Sequence, residues 1–403
     1  MSALENQLSD RANALKPSAI RAMAKQAGMP GVVSFAAGAP SASQFPFEAL
    51  RGATDAILSD PLRRAEALQY GASEGYLPLR EFVADQLGSP EWPISPDDVL
   101  ITSGSQQALE FVGKTFINEG DRVIACSPTY VGALQAFGLF EPEFVAIPLN
   151  DSGLDLAALE AELKAGAKFF YVMPDHGNPN GTMLTLAQRK AILSLARQYE
   201  IPIIEDQAYD QLQLSGERLP TLLELDRASD AAAPIVSYLG TFSKSLTPGL
   251  RVGWIITAQP IIAKLVSIKQ ASDLNSGMLN QMIVNDVARD IMVSHGTKLR
   301  AFYKGQRDAM LNALKAHMPD TVSWTKPKGG MFVWLTLPAG MDAGALLQTA
   351  FEQERVIFVP GASFHSDGSG VNTLRLSYSL PSTQQIADGI AGLARVIRSL
   401  SAG

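Results

Sequence analysis

The stretch Ser237-Tyr238-Leu239-Gly240-Thr241-Phe242-Ser243-Lys244-Ser245-Leu246-Thr247-Pro248-Gly249-Leu250-Arg251 decides how the rest of the chain reads. Residues 234–239 are apolar and β-prone. The segment after them is dense in hydroxyls and turn residues, with Lys244 and Arg251 seven positions apart. A lysine in a small polar loop directly after a strand is held on a rigid scaffold and faces a cavity. That position suits a Schiff-base lysine, whose amine must lose its proton to attack a carbonyl. Thr241, Ser243 and Arg251 would then gather around one phosphate. An ordinary surface lysine in a Ser-Lys pair satisfies the same spacing, so the reading needs support from elsewhere in the chain.

Working outward, short apolar runs alternate with helical patterns. Residues 99–102, 122–125, 169–172, 201–204 and 235–239 predict strands, and 106–117 and 186–199 predict helices. Repeated β-α-β order with continuously apolar strands predicts an α/β fold, a mostly parallel sheet covered by helices on both faces. Ligands in such sheets bind beyond the C-terminal ends of the strands. After Trp254-Ile255-Ile256 the chain reads as largely helical to about Met318. Strand-like segments come next at 331–337, 356–359 and 373–378, with a last helix near 384–399. The expectation is an N-terminal helix and arm over 1–47, a large domain over 48–290 and a smaller α+β C-terminal domain over 291–403.

Composition narrows the function class. The 403 residues are 46% hydrophobic and 18% charged, enough apolar surface for a large core. A net charge of −7 argues against nucleic acid as a partner. One cysteine, Cys126, leaves no intrachain disulfide, and four scattered histidines without His-Glu-x-x-His argue against zinc. The first ten residues lack the pattern of a signal peptide, and no apolar run reaches the ~18 residues of a membrane span. A soluble cytoplasmic protein is therefore expected.

Several loops after strands carry candidate chemistry. Thr102-Ser103-Gly104-Ser105-Gln106 joins a strand to a helix, where free N–H groups and the helix dipole attract an anion. Capping of that helix by Ser105 is the plainer alternative. Gly113-Lys114-Thr115 lies inside the apolar helix without the glycine a P-loop needs, so it is not one. Asp206, in Glu205-Asp206-Gln207-Ala208-Tyr209, could hold a heterocyclic N–H⁺ at a strand end, or merely cap a turn. Asn178 lies in Asp175-His176-Gly177-Asn178-Pro179-Asn180-Gly181, a run of turn residues. Tyr130 comes just after a strand and could stack on a planar ligand. Arg375, within an apolar strand, suits a carboxylate, because a buried guanidinium is costly without an anion. The Gly38-Ala39-Pro40 loop lets backbone approach a ligand closely.

In this order, Tyr70-Gly71, Gly104-Ser105-Gln106, Asn178-Pro179-x-Gly181, Asp206-x-x-Tyr209, Ser243-Lys244 with Arg251, and Arg375 together resemble the fold-type I pyridoxal-phosphate aminotransferases of class I/II. The resemblance runs over almost the whole chain. It implies that Lys244 forms the Schiff base with pyridoxal 5′-phosphate and later serves as general base at Cα. It implies that Asp206 pairs with the ring nitrogen, that Asn178 and Tyr209 bind the ring hydroxyl oxygen, and that Tyr130 stacks on the ring. Ser105, Gln106, Ser243 and Arg251 would hold the phosphate, and Tyr70 would reach the phosphate of a neighbouring subunit in a homodimer with shared sites. Arg375 would grip the substrate α-carboxylate and Gly38 would line the substrate site. The implied reaction moves the amino group of an amino acid to a 2-oxo acid such as 2-oxoglutarate. β-Elimination, decarboxylation or cyclopropane synthesis on the same fold, a pyridoxal-phosphate-sensing regulator domain, and a cofactor-free α/β binding protein remain alternatives.

Within the family, Pro17-Ser18-Ala19-Ile20-Arg21 and Phe35-Ala36-Ala37-Gly38-Ala39-Pro40 look like the α-aminoadipate/kynurenine subgroup. There an N-terminal helix covers the substrate, and its Ser and Arg, here Ser18 and Arg21, meet a distal polar or acidic group. One departure stands out. The family usually carries an apolar or Phe-Gln pair before Asn-Pro, and this chain carries His176-Gly177. That change bears on the cofactor's surroundings or the substrate range.

Overall fold

Eight strands build one sheet, in the spatial order Val99–Thr102, Gly253–Ile256, Val236–Thr241, Ile203–Asp206, Phe170–Val172, Arg122–Ser127, Glu143–Asn150 and Gly153–Leu154. The computed structural model describes residues 4–14, 23–150, 153–229 and 233–401. The five strands from Val236–Thr241 across to Glu143–Asn150 pair in parallel. Gly253–Ile256 runs antiparallel to both of its neighbours. The fold is the expected α/β one, with the sheet buried on both faces.

The side-chain period of two explains why the strands read as continuous apolar runs. Ile124, Phe170, Ile203 and Tyr238 pack into one apolar layer. Their sequence neighbours Ala125, Tyr171, Ile204 and Leu239 pack into the other. Asp206 is two residues beyond Ile204 on the last position of its strand, so its side chain shares the face of Ile204 and Tyr171. Glu205 points to the opposite face, where it accepts hydrogen bonds of 2.8 Å from the N–H groups of Leu222 and Leu223, at the start of the helix Leu222–Arg227.

Glu143–Asn150 has no counterpart in the sequence reading. Its two prolines, Pro142 just before it and Pro148 within it, argue against a strand. It is nonetheless held by a six-residue parallel ladder to Arg122–Ser127, with only a two-residue strand on its other side.

The C-terminal region forms a second, four-stranded antiparallel sheet of Ser323–Trp324, Phe332–Thr336, Thr373–Ser377 and Val359–Pro360. The helix Met278–His317 is continuous through residue 291, where the sequence suggests the smaller lobe begins. Val33–Ser34 pairs in parallel with Val356–Ile357, which ties the N-terminal segment to the C-terminal region. Arg375 lies in the middle of this second sheet, opposite Trp334.

The loop after Phe170–Val172 is locked by a buried ion pair. Arg189, on the helix Leu186–Gln198, is fully buried and bonds Asp175 through two nitrogens at 2.5 and 2.8 Å. It also donates to the carbonyls of Pro174, Leu184 and Pro220. Removing one partner strands the other as an uncompensated buried charge. Arg189→Ala is expected to lose about 3–5 kcal/mol of stability, measured as a fall in the urea unfolding midpoint.

Candidate active site

The C-terminal ends of the parallel strands open onto a cavity of about 470 Å³. Its anion-binding end begins at Gly104, which has φ +81° and precedes the helix Ser105–Phe116. Ser105 is the first helical residue and does not cap the helix, and no side chain bonds the helix start from Gly104. A Cβ on Gly104 would come within 2.4 Å of the Arg251 guanidinium. A Cβ on Gly253 would come within 2.7 Å of the Ser105 nitrogen. Both glycines therefore allow Arg251 and the helix N-terminus to converge.

Opposite them, the Thr241 hydroxyl donates to Ser243 Oγ at 2.9 Å, and the Ser243 N–H bonds Thr241 Oγ1 at 3.1 Å. Arg251 donates only to the carbonyls of Pro248 and Ser103, both at 3.3 Å, and forms no ion pair among the described residues. A helix N-terminus, two hydroxyls and an unpaired guanidinium suit a phosphate.

The floor is Asp206, 2% exposed. Its Oδ2 accepts from the Tyr171 hydroxyl at 2.8 Å, while its Oδ1 is buried without a hydrogen-bond partner among the described residues. Burial raises its pKa to about 6, against the opposing pull of the Tyr171 hydroxyl and the Ala208 N–H. A cationic N–H at Oδ1 would satisfy this orphaned acceptor and lower the pKa again. Tyr130, Asn178 and Tyr209 line the same cavity. Asn178 Oδ1 accepts from Arg375 Nη1 at 2.8 Å, and its amide also lies beside the Tyr209 hydroxyl.

Lys244 reaches this space from the turn after Val236–Thr241 and donates to the Gly38 carbonyl at 2.9 Å. Its pKa is lowered to about 8, first by desolvation and then by the charges of Arg375 and Arg251. Arg375 is 1% exposed, and burial lowers its pKa to about 10. Its Nη2 donates to the Ala36 carbonyl, and its Nε has no partner among the described residues. The guanidinium lies 4.3 Å from the ring centre of Phe332 and 5.1 Å from that of Phe364. No carboxylate pairs with it among the described residues. A buried cation flanked by aromatic faces and lacking an anion is built to receive one.

Ser105, Gln106, Ser243 and Gly38 complete the set of sequence candidates lining the cavity. Gln106 turns part of its amide away, donating to the Gly132 carbonyl at 2.9 Å. Tyr70 does not join them; it is 79% exposed on the surface. Ser18 and Arg21 lie outside the described residues. Sequence reasoning took Tyr171 only as a strand residue and missed the aromatic pair Phe332 and Phe364. Tyr171 shares a face with Asp206, a relation that only pairing of the two strands creates.

The donor set fits pyridoxal phosphate on its chemistry. It offers an amine of lowered pKa, a buried carboxylate oxygen awaiting a proton donor, and a phosphate cradle with its own arginine. The family model for aminotransferase class I and II matches residues 30–393. This chain belongs to the class I and II aminotransferases. A 2-aminoadipate transaminase of Thermus thermophilus is 43% identical over 97% of this chain and 96% of its own length. An aromatic-amino-acid aminotransferase of Thermococcus litoralis is 41% identical, over 98% of this chain and 94% of its own. The crystal structure of kynurenine aminotransferase from Pyrococcus horikoshii, with pyridoxamine phosphate, superposes with a TM-score of 0.93 at 38% identity, covering 99% and 98% of the two chains. The chain is thus a pyridoxal-phosphate-dependent aminotransferase that moves an amino group from an amino acid to a 2-oxo acid.

Titration of this aminotransferase's Lys244 tests the electrostatics directly. With a pKa lowered to about 8, the amine in protein freed of cofactor should be mostly protonated below that pH and mostly neutral above it. The rate of Lys244 modification by an amine-directed acylating reagent should rise with a midpoint near pH 8. In Arg375→Met the midpoint should move up, because a repelling charge is gone.

Proposed function

We propose that Lys244 is the lysine that carries the cofactor, and that its neutral amine takes the proton from the substrate Cα. Its support is the lowered pKa of a desolvated amine that shares one cavity with Asp206, Arg251 and Arg375. Pyridoxal phosphate, when bound, supplies the electron sink that lets the Cα proton leave. Asp206 holds a proton on the ring nitrogen through its free Oδ1, and Tyr171 keeps that carboxylate oriented. Ser105, Gln106, Ser243 and Arg251 hold the phosphate, and Tyr130, Asn178 and Tyr209 bind the ring. Arg375 binds the α-carboxylate of both substrates, with Gly38 lining the same space.

The amino donors are 2-aminoadipate and aromatic amino acids, and the acceptor is 2-oxoglutarate. The relatives named for those donors, both above 40% identity across nearly the whole chain, support this choice. Ser18 and Arg21 would meet the far end of the donor. A homodimer belongs to the same proposal, supported by Tyr70, whose large ring stands exposed. So do a division into an arm (1–47), a large domain (48–290) and a small domain (291–403), and a cytoplasmic location, in keeping with the free, buried Cys126.

The decisive experiment is a visible spectrum of the purified protein during titration with 2-aminoadipate, kynurenine, an aromatic and a branched aliphatic amino acid. The cofactor band should shift to that of its amino form with the first three and return on adding 2-oxoglutarate. A shift with none of the donors would overturn the reading. Lys244→Ala is expected to abolish steady-state transamination. Asp206→Ala should retain protein fold and lose most of the rate, about 10²-fold or more by analogy with removal of one electrostatic stabiliser, as measured by oxo-acid production.

A further inference from the structure

His176 is fully buried, titratable and absent from the cavity lining. It adopts φ +51°, a left-handed conformation that strains a non-glycine residue. Its Nε2 lies 2.8 Å from Gln213 Oε1. The Gln213 amide nitrogen donates to the carbonyls of Ser215 and Glu217, so Oε1 is the acceptor and His176 is the donor. The other ring nitrogen, Nδ1, has no partner among the described residues, and burial pushes the imidazole pKa down.

The ring packs against Gly329, where a Cβ would meet Nε2 at 2.4 Å, and the His176 Cβ lies against Gly330. Gly329 forms a β-bridge with Gln213, and the Gly330 N–H bonds the Leu212 carbonyl at 3.0 Å. Three segments therefore meet at this ring. The first is the loop that carries Asn178, already pinned by Asp175 and Arg189. The second is the turn from Asp206 through Tyr209 to Gln213. The third is the run from Gly329 to Phe332, whose ring touches Arg375 and stands edge-on to Tyr209 at 5.6 Å.

We propose that His176 is a positioning residue. Its hydrogen bond to Gln213 joins two loops of the large sheet, its packing under Gly329 and Gly330 fastens them to the small one, and together these set where Asn178 and Phe332 hold the Arg375 fork. Resting on the proposed role of Arg375, the inference predicts that this tie governs affinity for the substrate carboxylate more than the proton transfer at Cα.

The test compares the holoenzyme with His176→Gln, which keeps a donor nitrogen in the place of Nε2, His176→Phe, which keeps volume without the donor, and Gln213→Met, which removes the acceptor from a partly exposed site. His176→Gln should behave as the unvaried enzyme. His176→Phe and Gln213→Met should each raise KM for the amino donor about tenfold while kcat changes by less than about threefold. Both should also speed amide exchange in a peptide spanning 328–332, and the double variant should do no more than the stronger single one. Amide exchange is read without substrate, so it is independent of the donor assignment, and any donor found by the spectral titration serves for KM. Unchanged exchange in both variants overturns the tie. Raised exchange with unchanged KM, or a parallel loss of kcat, KM and cofactor content, overturns the positioning role.

Discussion

Three ionisable groups are kept desolvated and apart in one cavity, and the organisation of the site depends on that. Lys244, Asp206 and Arg375 could have neutralised one another, yet none forms an ion pair with another. Lys244 is turned to a backbone carbonyl, Asp206 to a tyrosine hydroxyl, and Arg375 to an asparagine and a carbonyl. Each arrangement uses neutral partners and leaves charge or hydrogen-bonding capacity unspent. In low dielectric an unspent charge is costly to the apoprotein and strongly attractive to a complementary ligand. The site is therefore complementary to a zwitterionic, phosphorylated cofactor with a carboxylate substrate, and less so to itself.

The fold holds these groups apart by drawing them from separate elements. Asp206 ends one parallel strand, Lys244 comes after the next, and the helix Ser105–Phe116 begins after a third. Val236–Thr241 and Ile203–Asp206 pair in parallel, and Val99–Thr102 runs in the same direction because the antiparallel Gly253–Ile256 separates it from them. All three C-terminal ends therefore face one space whatever their distance in sequence. Gly104 and Gly253 are small enough for Arg251 and the helix N-terminus to approach each other there. Arg375 comes from the second sheet, so the cavity closes only where the two sheets meet. His176, Gln213 and the pair Gly329 and Gly330 lie at that seam.

Much of this was legible along the chain, because local chemistry limits what each stretch can do. Apolar runs bounded by turn residues marked the strands at 99–102, 122–127 and 236–241 to within a few residues. The spacing of Lys244 and Arg251, and the polar residues after each strand, marked most of the cavity lining. Other features carried no local signal. Glu143–Asn150 is a strand because Arg122–Ser127 offers it a ladder, although its own prolines speak against one. Tyr171 supports Asp206 only because adjacent strands bring alternate residues onto one face. Phe332 flanks Arg375 by sheet register, although the two lie far apart in the chain.

The sequence alone thus determined the α/β class, the order of the elements and the kinds of group the site would contain. Those properties depend on side-chain periodicity and turn chemistry, which act over a few residues. Tertiary structure decided which groups remain unpaired, which pKa values move, and what the buried His176 touches. Those depend on burial and on contacts between residues far apart in the chain, and desolvation exists only once the two sheets have closed over the cavity.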